Sequence, residues 1–335
     1  MAKKTSLAAA QLAKISGNPG AVRQSFNLAR NPDGSLMAVP RAGQEAEFAT
    51  AYGILDIHRA FKNRRYLRKK NDPSYRGPII VAEGDSWFEF PLADDLIMWL
   101  GQTYAIMSLA KAGDAWTDIQ NQNELFPAIR KEKPDIVMLS VGGNEIMGNI
   151  ERYVHSYKAG LGRDDYIRPN FAPLLGWVSR RYEVAIETIL KINAKTKVII
   201  HGYDYPNPRE WMQGGQWIGG PLENFLYIGD HTLWRHVANS MIDQFNANQA
   251  AIAGKYGDSV HYVNLRGTIG RDDDEWLGPE DAWDDEIHGT SDGFHRLSKK
   301  LAAVIDQIAP KKPPMKARTT ALSARAKTSA KKKRR

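Results

Sequence analysis

The sequence predicts an α/β protein of three layers, α/β/α, built on a mostly parallel five-stranded sheet. Two observations predict it. Between residues 77 and 309, five strand-length apolar runs alternate with helix patterns, and that alternation implies a parallel sheet covered on both faces. The helix patterns repeat at i, i+3, i+4 and i+7, as in Tyr182, Ala185, Ile186 and Ile189, which gives each helix one apolar face to bury.

In order, residues 1–50 read as a loosely structured arm, with turn signals at Gly17-Asn-Pro-Gly20 and Asn31-Pro-Asp-Gly34. A helix over 51–70 ends strongly basic, and its charges (Arg59, Lys62, Arg64, Arg65, Arg68, Lys69, Lys70) read as a solvated face. Strand one is Ile79–Ala82, followed by a helix around Leu92–Leu100. Strand two is Tyr104–Leu109, and one helix over Trp116–Lys131 leads to strand three, Asp135–Val141. Strand four is Lys197–His201. Residues 204–230 form a long loop, of the kind that often carries function. A helix marked by Trp234, Val237, Ala238, Met241, Ile242 and Phe245 precedes strand five, Val260–Leu265. The last helix lines up Phe294, Leu297, Leu301, Ile305 and Ile308, and Pro310 stops it. This places one domain over 51–310, its core over 77–309, between the arm and a tail.

Composition narrows the class. The chain of 335 residues is 42% hydrophobic, enough for a sizeable core, with no apolar run near the ~20 residues of a membrane span. Leu7–Leu12 after Lys3-Lys4 is too short and too interrupted for a signal peptide. No cysteine means no disulfide, thiolate metal site or cysteine nucleophile, which fits a cytoplasmic setting. The net charge of +8 belongs to one end. Residues 311–335 hold 11 Lys and Arg and no acid, which leaves 35 bases against 38 acids before them. That segment reads as a disordered basic tail, suited to weak contact with a polyanion or an anionic membrane, or to solubilisation alone.

The chemistry gathers at strand ends. After strand one comes Gly84-Asp85-Ser86-Trp87, a serine where the sheet opens onto its crevice. Strand two ends at Gly113 and strand three at Gly142-Gly-Asn144-Glu145. In a flavodoxin-like order, 2-1-3-4-5, these three ends meet. Ser86 is then the candidate nucleophile, and the N–H groups of Ser86 and Gly113 with the Asn144 amide are a candidate oxyanion hole. Asp285-Glu-Ile-His288 lies in the loop before the last helix, at the same edge. Its spacing lets the Asp285 carboxylate hold the imidazole Nδ1–H and leave Nε2 free to deprotonate serine. A second pair, Asp292-x-x-His295, falls in the first turn of the last helix, where Asp292 is expected to cap the helix.

With these residues the sequence resembles the SGNH hydrolases, also called GDSL-type esterases and lipases. Gly84-Asp-Ser86, Gly113, Gly142-x-Asn144 and Asp285-x-x-His288 match the family's four blocks in order, over roughly residues 77–309. Ser108, Glu145 and Gly289 depart from the commoner residues, and none of them removes a catalytic group. The resemblance implies a serine esterase or lipase acting through an acyl-enzyme on Ser86, on a small-molecule, lipid or carbohydrate ester, with no cofactor and no metal. A catalytically silent ligand-binding member with a working basic tail is the alternative.

Other motifs carry less. The Gly-x-Ser-x-Gly elbow of another hydrolase fold is absent, and Ser108-x-x-Lys111 lacks the partners of a Ser–Lys nucleophile. Asp272-Asp-Asp-Glu275 reads as a solvated loop, lacking the spacing of a calcium loop. His201 either lines the pocket or packs. Trp211, Trp217, Trp276 and Trp283 are candidates for an apolar acyl pocket, a sugar platform or ordinary burial. Asp85, Asp114 and Glu145 read as turn and helix-start residues.

Overall fold

The computed structural model describes residues 18–30, 36–41, 52–273, 275 and 280–309. The arm opens with α1 (Pro19–Ser25), capped by Asn18, whose side chain accepts from the Ala21 N–H. An antiparallel ribbon follows, β1 (Phe26–Arg30) against β2 (Leu36–Pro40). The described part of the arm is therefore ordered, contrary to the loose segment expected. Elements this short leave no long periodic pattern in a sequence. The rest of the arm, Trp276 and the basic tail lie outside the described residues.

After α2 (Tyr52–Lys70) the α/β alternation begins. It runs through β3 (Ile79–Gly84), α3 (Leu96–Leu100), β4 (Ala105–Ser108), α4 (Trp116–Gln122), α5 (Leu125–Glu132) and β5 (Ile136–Ser140). It continues with α6 (Gly143–Met147), α7 (Phe171–Ile192), β6 (Lys197–His201), α8 (Gly219–Asn224), α9 (His231–Lys255), β7 (Val260–Val263) and α10 (Ser291–Ile308). The five strands β3–β7 form one parallel sheet in the order β4-β3-β5-β6-β7. This is the doubly wound order expected from the sequence, with helices on both faces.

The sheet reads its own position from its residues. All of β5 is buried, and β3 is buried beyond its first residue, and both are apolar up to Glu83 and Ser140 as central parallel strands require. β7, at one edge, leaves His261 and Tyr262 half-exposed. The other edge, β4, is closed by a side chain. The Asn63 amide donates to the Ser108 carbonyl and accepts from the Ser108 N–H, both at 2.8 Å, and so stands in for a neighbouring strand.

The same helix corrects the reading of its charges. Arg64, Arg68 and Lys70 are exposed, but Lys62 is 3% exposed. Its ammonium donates to Glu89 at 2.9 Å, Asp95 at 2.5 Å and the Phe88 carbonyl at 2.7 Å, and His58 holds the other oxygen of Glu89. Burial drives Glu89 upward, yet Lys62 and His58 outweigh it and hold the carboxyl below its ordinary value. An ion cluster under the turn that follows Ser86 is invisible to a count of basic residues.

Two further boundaries differ. The helix expected over 116–131 breaks at Asn123, which takes a left-handed φ of 50°. The long loop 204–230 carries α8, and two buried carboxylates organise its surroundings. Asp204 accepts from the N–H groups of Gly267, Thr268, Ile269 and Gly270, at 2.6–3.1 Å. Glu286 accepts from those of Arg209, Trp217, Ile218 and Gly219, at 2.6–2.8 Å.

Candidate active site

The C-terminal ends of β3, β4 and β5 meet at one edge, because β3 lies between the other two. The turn after β3 needs Gly84: a Cβ there would lie 2.3 Å from the Ser140 carbonyl oxygen of the neighbouring strand. Asp85 then bends the chain. Its N–H donates to that carbonyl at 2.9 Å, and its carboxylate accepts from the Trp87 N–H and the Ser140 hydroxyl. Ser86 is thereby delivered to the crevice.

Across the crevice, the loop before α10 supplies the other two expected residues. The Ser86 hydroxyl lies 2.7 Å from His288 Nε2, and His288 Nδ1 lies 2.7 Å from Asp285 Oδ2. The remaining oxygen of Asp285 accepts from the N–H groups of Ile287 and His288, so one carboxylate both folds the loop and holds the imidazole. With Nδ1–H given to Asp285, Nε2 presents its lone pair to the serine. Burial pushes Asp285 up, but the imidazole and the three hydrogen bonds prevail and hold it below its ordinary value. His288 is fixed by more than hydrogen bonds. The Phe90 ring stacks on it at 4.4 Å, Trp217 meets it edge-on, and Trp87 Nε1 donates to the Ile287 carbonyl at 2.9 Å.

Of the expected oxyanion donors, Ser86 and Asn144 line one cleft, whereas Gly113 is not part of its lining. Among the described residues, the N–H groups of Ser86 and Gly113 meet no protein acceptor. Asn144 spends one amide hydrogen on the Asp114 carbonyl at 2.9 Å, which leaves the other. A narrow cleft opens beside Ser86 and Asn144, walled by Met147, Pro206, Ile242, Trp283 and Ile287. Its lining is apolar apart from the motif residues, Tyr203 and Asp204, as a site for an acyl or alkyl group would be.

The other candidates find ordinary places. Asp292 is exposed on the first turn of α10, and the cap is Thr290, whose hydroxyl accepts from the Gly293 N–H; this corrects the expected cap. His295 stacks on Trp99 at 4.2 Å. Among the described residues the Ser108 hydroxyl has no hydrogen-bond partner, and Lys111 lies 4.0 Å from Glu124, so no Ser–Lys pair forms. His201 packs beneath Trp87, and burial lowers it to about 4. Trp283 and Trp217 are buried and Trp211 is exposed. Asp273 is engaged by Arg271. Among the described residues, no group of three His, Cys, Asp or Glu is placed to hold a metal, and no helix is long and apolar enough to cross a membrane.

Four carboxyls are buried near the ends of β3, β4 and β5. Burial raises Glu83 to about 8, Asp85 to about 6, and Asp114 and Glu145 each to about 7. Their bonds are structural: Gln122 donates to Asp114, and the Trp116 N–H to Glu145 at 2.7 Å. Reading the sequence alone missed Tyr203, Glu286 and the Lys62 cluster. Glu286 carried the one available signal, an acid inside the motif facing a glycine-rich loop.

Residues 82–296, well over half of the chain, match the model of the GDSL-like lipase/acylhydrolase family. The chain belongs to that family. Membership supports a hydrolase of ester bonds. No curated protein sequence matches the chain. Among solved structures, this GDSL-like protein is similar to an extracellular lipase from Streptomyces rimosus at 14% identity, covering 67% of this chain and 98% of that one, TM-score 0.47. It is also similar to phospholipase A1 from Streptomyces albidoflavus at 17% identity, over 68% and 99%, TM-score 0.44. A family 3 carbohydrate esterase from Clostridium thermocellum gives 14% identity, over 69% and 97%, TM-score 0.40.

Proposed function

We propose that the protein is a serine esterase that cleaves carboxylic esters through an acyl-enzyme on Ser86. The observation that carries this reading is the unbroken chain from Asp285 Oδ2 to His288 Nδ1 and from Nε2 to the Ser86 hydroxyl, each link 2.7 Å. As Ser86 attacks the ester carbonyl, His288 takes its proton, and Asp285 stabilises the imidazolium and keeps the tautomer. Charge developing on the carbonyl oxygen is met by the N–H groups of Ser86 and Gly113 and by the Asn144 amide, each such donor contributing about 3 kcal/mol. His288 then protonates the leaving alcohol. Water, activated by the same imidazole, releases the acid and restores Ser86. The apolar walls of the cleft favour an acyl group over a charged one.

The test is labelling by a fluorophosphonate together with turnover of p-nitrophenyl esters of graded chain length, run beside acetylated sugars. Stoichiometric labelling that Ser86→Ala abolishes is expected. An unlabelled wild-type protein would leave the ligand-binding alternative standing. The basic tail plays no part in this chemistry: deleting residues 311–335 should leave turnover of a soluble ester unchanged while weakening polyanion binding at low salt.

A further inference from the structure

We propose that Tyr203 is a positioning residue, whose hydroxyl between Asp85 and the Gly143 N–H sets the loop that presents Asn144 to the oxyanion. The inference rests on the esterase reading above.

Asn144 is the second residue of α6, a helix of five residues that begins directly after β5. A helix this short has little cooperativity of its own, so its start must be held from outside. Two tyrosines hold it. Tyr182 brackets Val141, accepting from its N–H at 3.1 Å and donating to its carbonyl at 2.7 Å. Tyr203 accepts from the Gly143 N–H at 3.1 Å and donates to the free oxygen of Asp85. Only the second links this loop to the residue beside the nucleophile.

The fit around Tyr203 is close. Gly142 has a φ of 106°, which favours glycine, and a Cβ added at Gly143 would lie 2.8 Å from the Tyr203 ring. The ring meets Trp87 edge-on at 5.0 Å and lies 5.5 Å from Phe245, so its hydroxyl has one reachable position. Asp85 is anchored in turn to Ser140 on β5 through its N–H and its carboxylate. The bracket thus ties together β3, β5 and the loop after β6. It fixes the backbone of Asn144 while the Asp114 carbonyl fixes the side chain. With both held, the remaining amide hydrogen is oriented before substrate arrives, and that orientation is what lets an oxyanion donor act in the transition state.

The test is a double-mutant cycle on one activated ester, using Tyr203→Phe and Asn144→Ala singly and together. Tyr203→Phe keeps the ring and removes only the hydroxyl. It should lower kcat about tenfold with KM within about twofold, the signature of a lost transition-state contact. In the Asn144→Ala background the same change should cost less than about twofold, because a residue that acts through Asn144 has nothing left to position. Equal losses in the two backgrounds, or an unchanged kcat, overturn the proposal. Should Tyr203→Phe fail to fold by circular dichroism, Tyr203→Met, which also removes the hydroxyl while keeping an apolar side chain against Trp87 and Phe245, takes its place in the cycle under the same criteria. Fluorophosphonate labelling of the wild type separates the two failures. A labelled, active wild type with an additive cycle sinks only the role of Tyr203, whereas an unlabelled one sinks the esterase reading itself.

Discussion

Two Asp-x-x-His pairs lie seven residues apart in this chain and come to opposite ends. In the first, Asp285 and His288, the carboxylate turns back on the loop, takes two backbone N–H groups and the imidazole, and leaves Nε2 on Ser86. In the second, Asp292 points to solvent and His295 lies flat on Trp99. Spacing is identical, so spacing is not what makes a dyad. The first pair precedes the cap of α10, where the backbone can still curl around a carboxylate. The second lies within the helix, where the backbone N–H groups beyond the first turn are already spent on the helix itself.

The largest test of that difference is to remove each imidazole. His288→Ala should lower kcat on an activated ester by several orders of magnitude, and His295→Ala should leave it within about twofold. The reverse result would reassign the base to the helix. Asn144→Ala probes the other side of the reacting carbon and should cost about 10²–10³ in kcat, with less effect on KM. An equal rise in KM would mean that Asn144 binds substrate uniformly. The boundary between the two pairs is Thr290. Removing its cap with Thr290→Ala should destabilise the protein by about 1 kcal/mol in denaturant unfolding while Ser86 still labels, because the dyad lies outside the helix. Loss of labelling in a folded variant would show that the loop geometry depends on the cap.

Most of this was legible beforehand, for identifiable reasons. Parallel strands buried on both faces read as apolar runs, and the strand ends carried Ser86, Gly113 and Asn144. The order of the sheet then brought those residues together. Asp285 and His288 were legible because a side chain three residues away acts locally. What stayed hidden acts across the chain. Tyr203 reaches Asp85 over 118 positions, Glu286 reaches Gly219 over 67, and Lys62 reaches Asp95 over 33. No periodicity records such contacts. Asp292 was misplaced as a cap for a simpler reason: Thr290 and Asp292 both suit the position, and only the observed start of α10 chooses between them.

The comparison extends to acids that have no imidazole at all. Asp285 is held below its ordinary value because His288 faces it, whereas Glu83, buried on β3 just before the Ser86 turn, is raised to about 8 by burial and by the Asp114 charge, which outweigh the Arg59 guanidinium. The two shifts tilt stability in opposite directions. A depressed carboxyl favours folding above its unfolded value near 3.8, and that contribution is lost as the pH falls through the folded value. A raised one is fully favourable below its unfolded value near 4.5 and is lost as the pH climbs through about 8. Glu83→Gln keeps the shape and one acceptor for the Gly84 N–H but cannot ionise. Thermal unfolding of the two proteins should therefore diverge as the pH rises from about 4.5 to about 8, and run parallel above that. The midpoints should lie closest at about pH 4, and the variant should gain several degrees on the wild type by about pH 8, each 1 kcal/mol being worth about 2–4 °C in a domain of this size. Parallel curves over that range would mean that Glu83 meets enough water or counter-charge to ionise freely. Asp285 would then have no raised neighbour to be contrasted with.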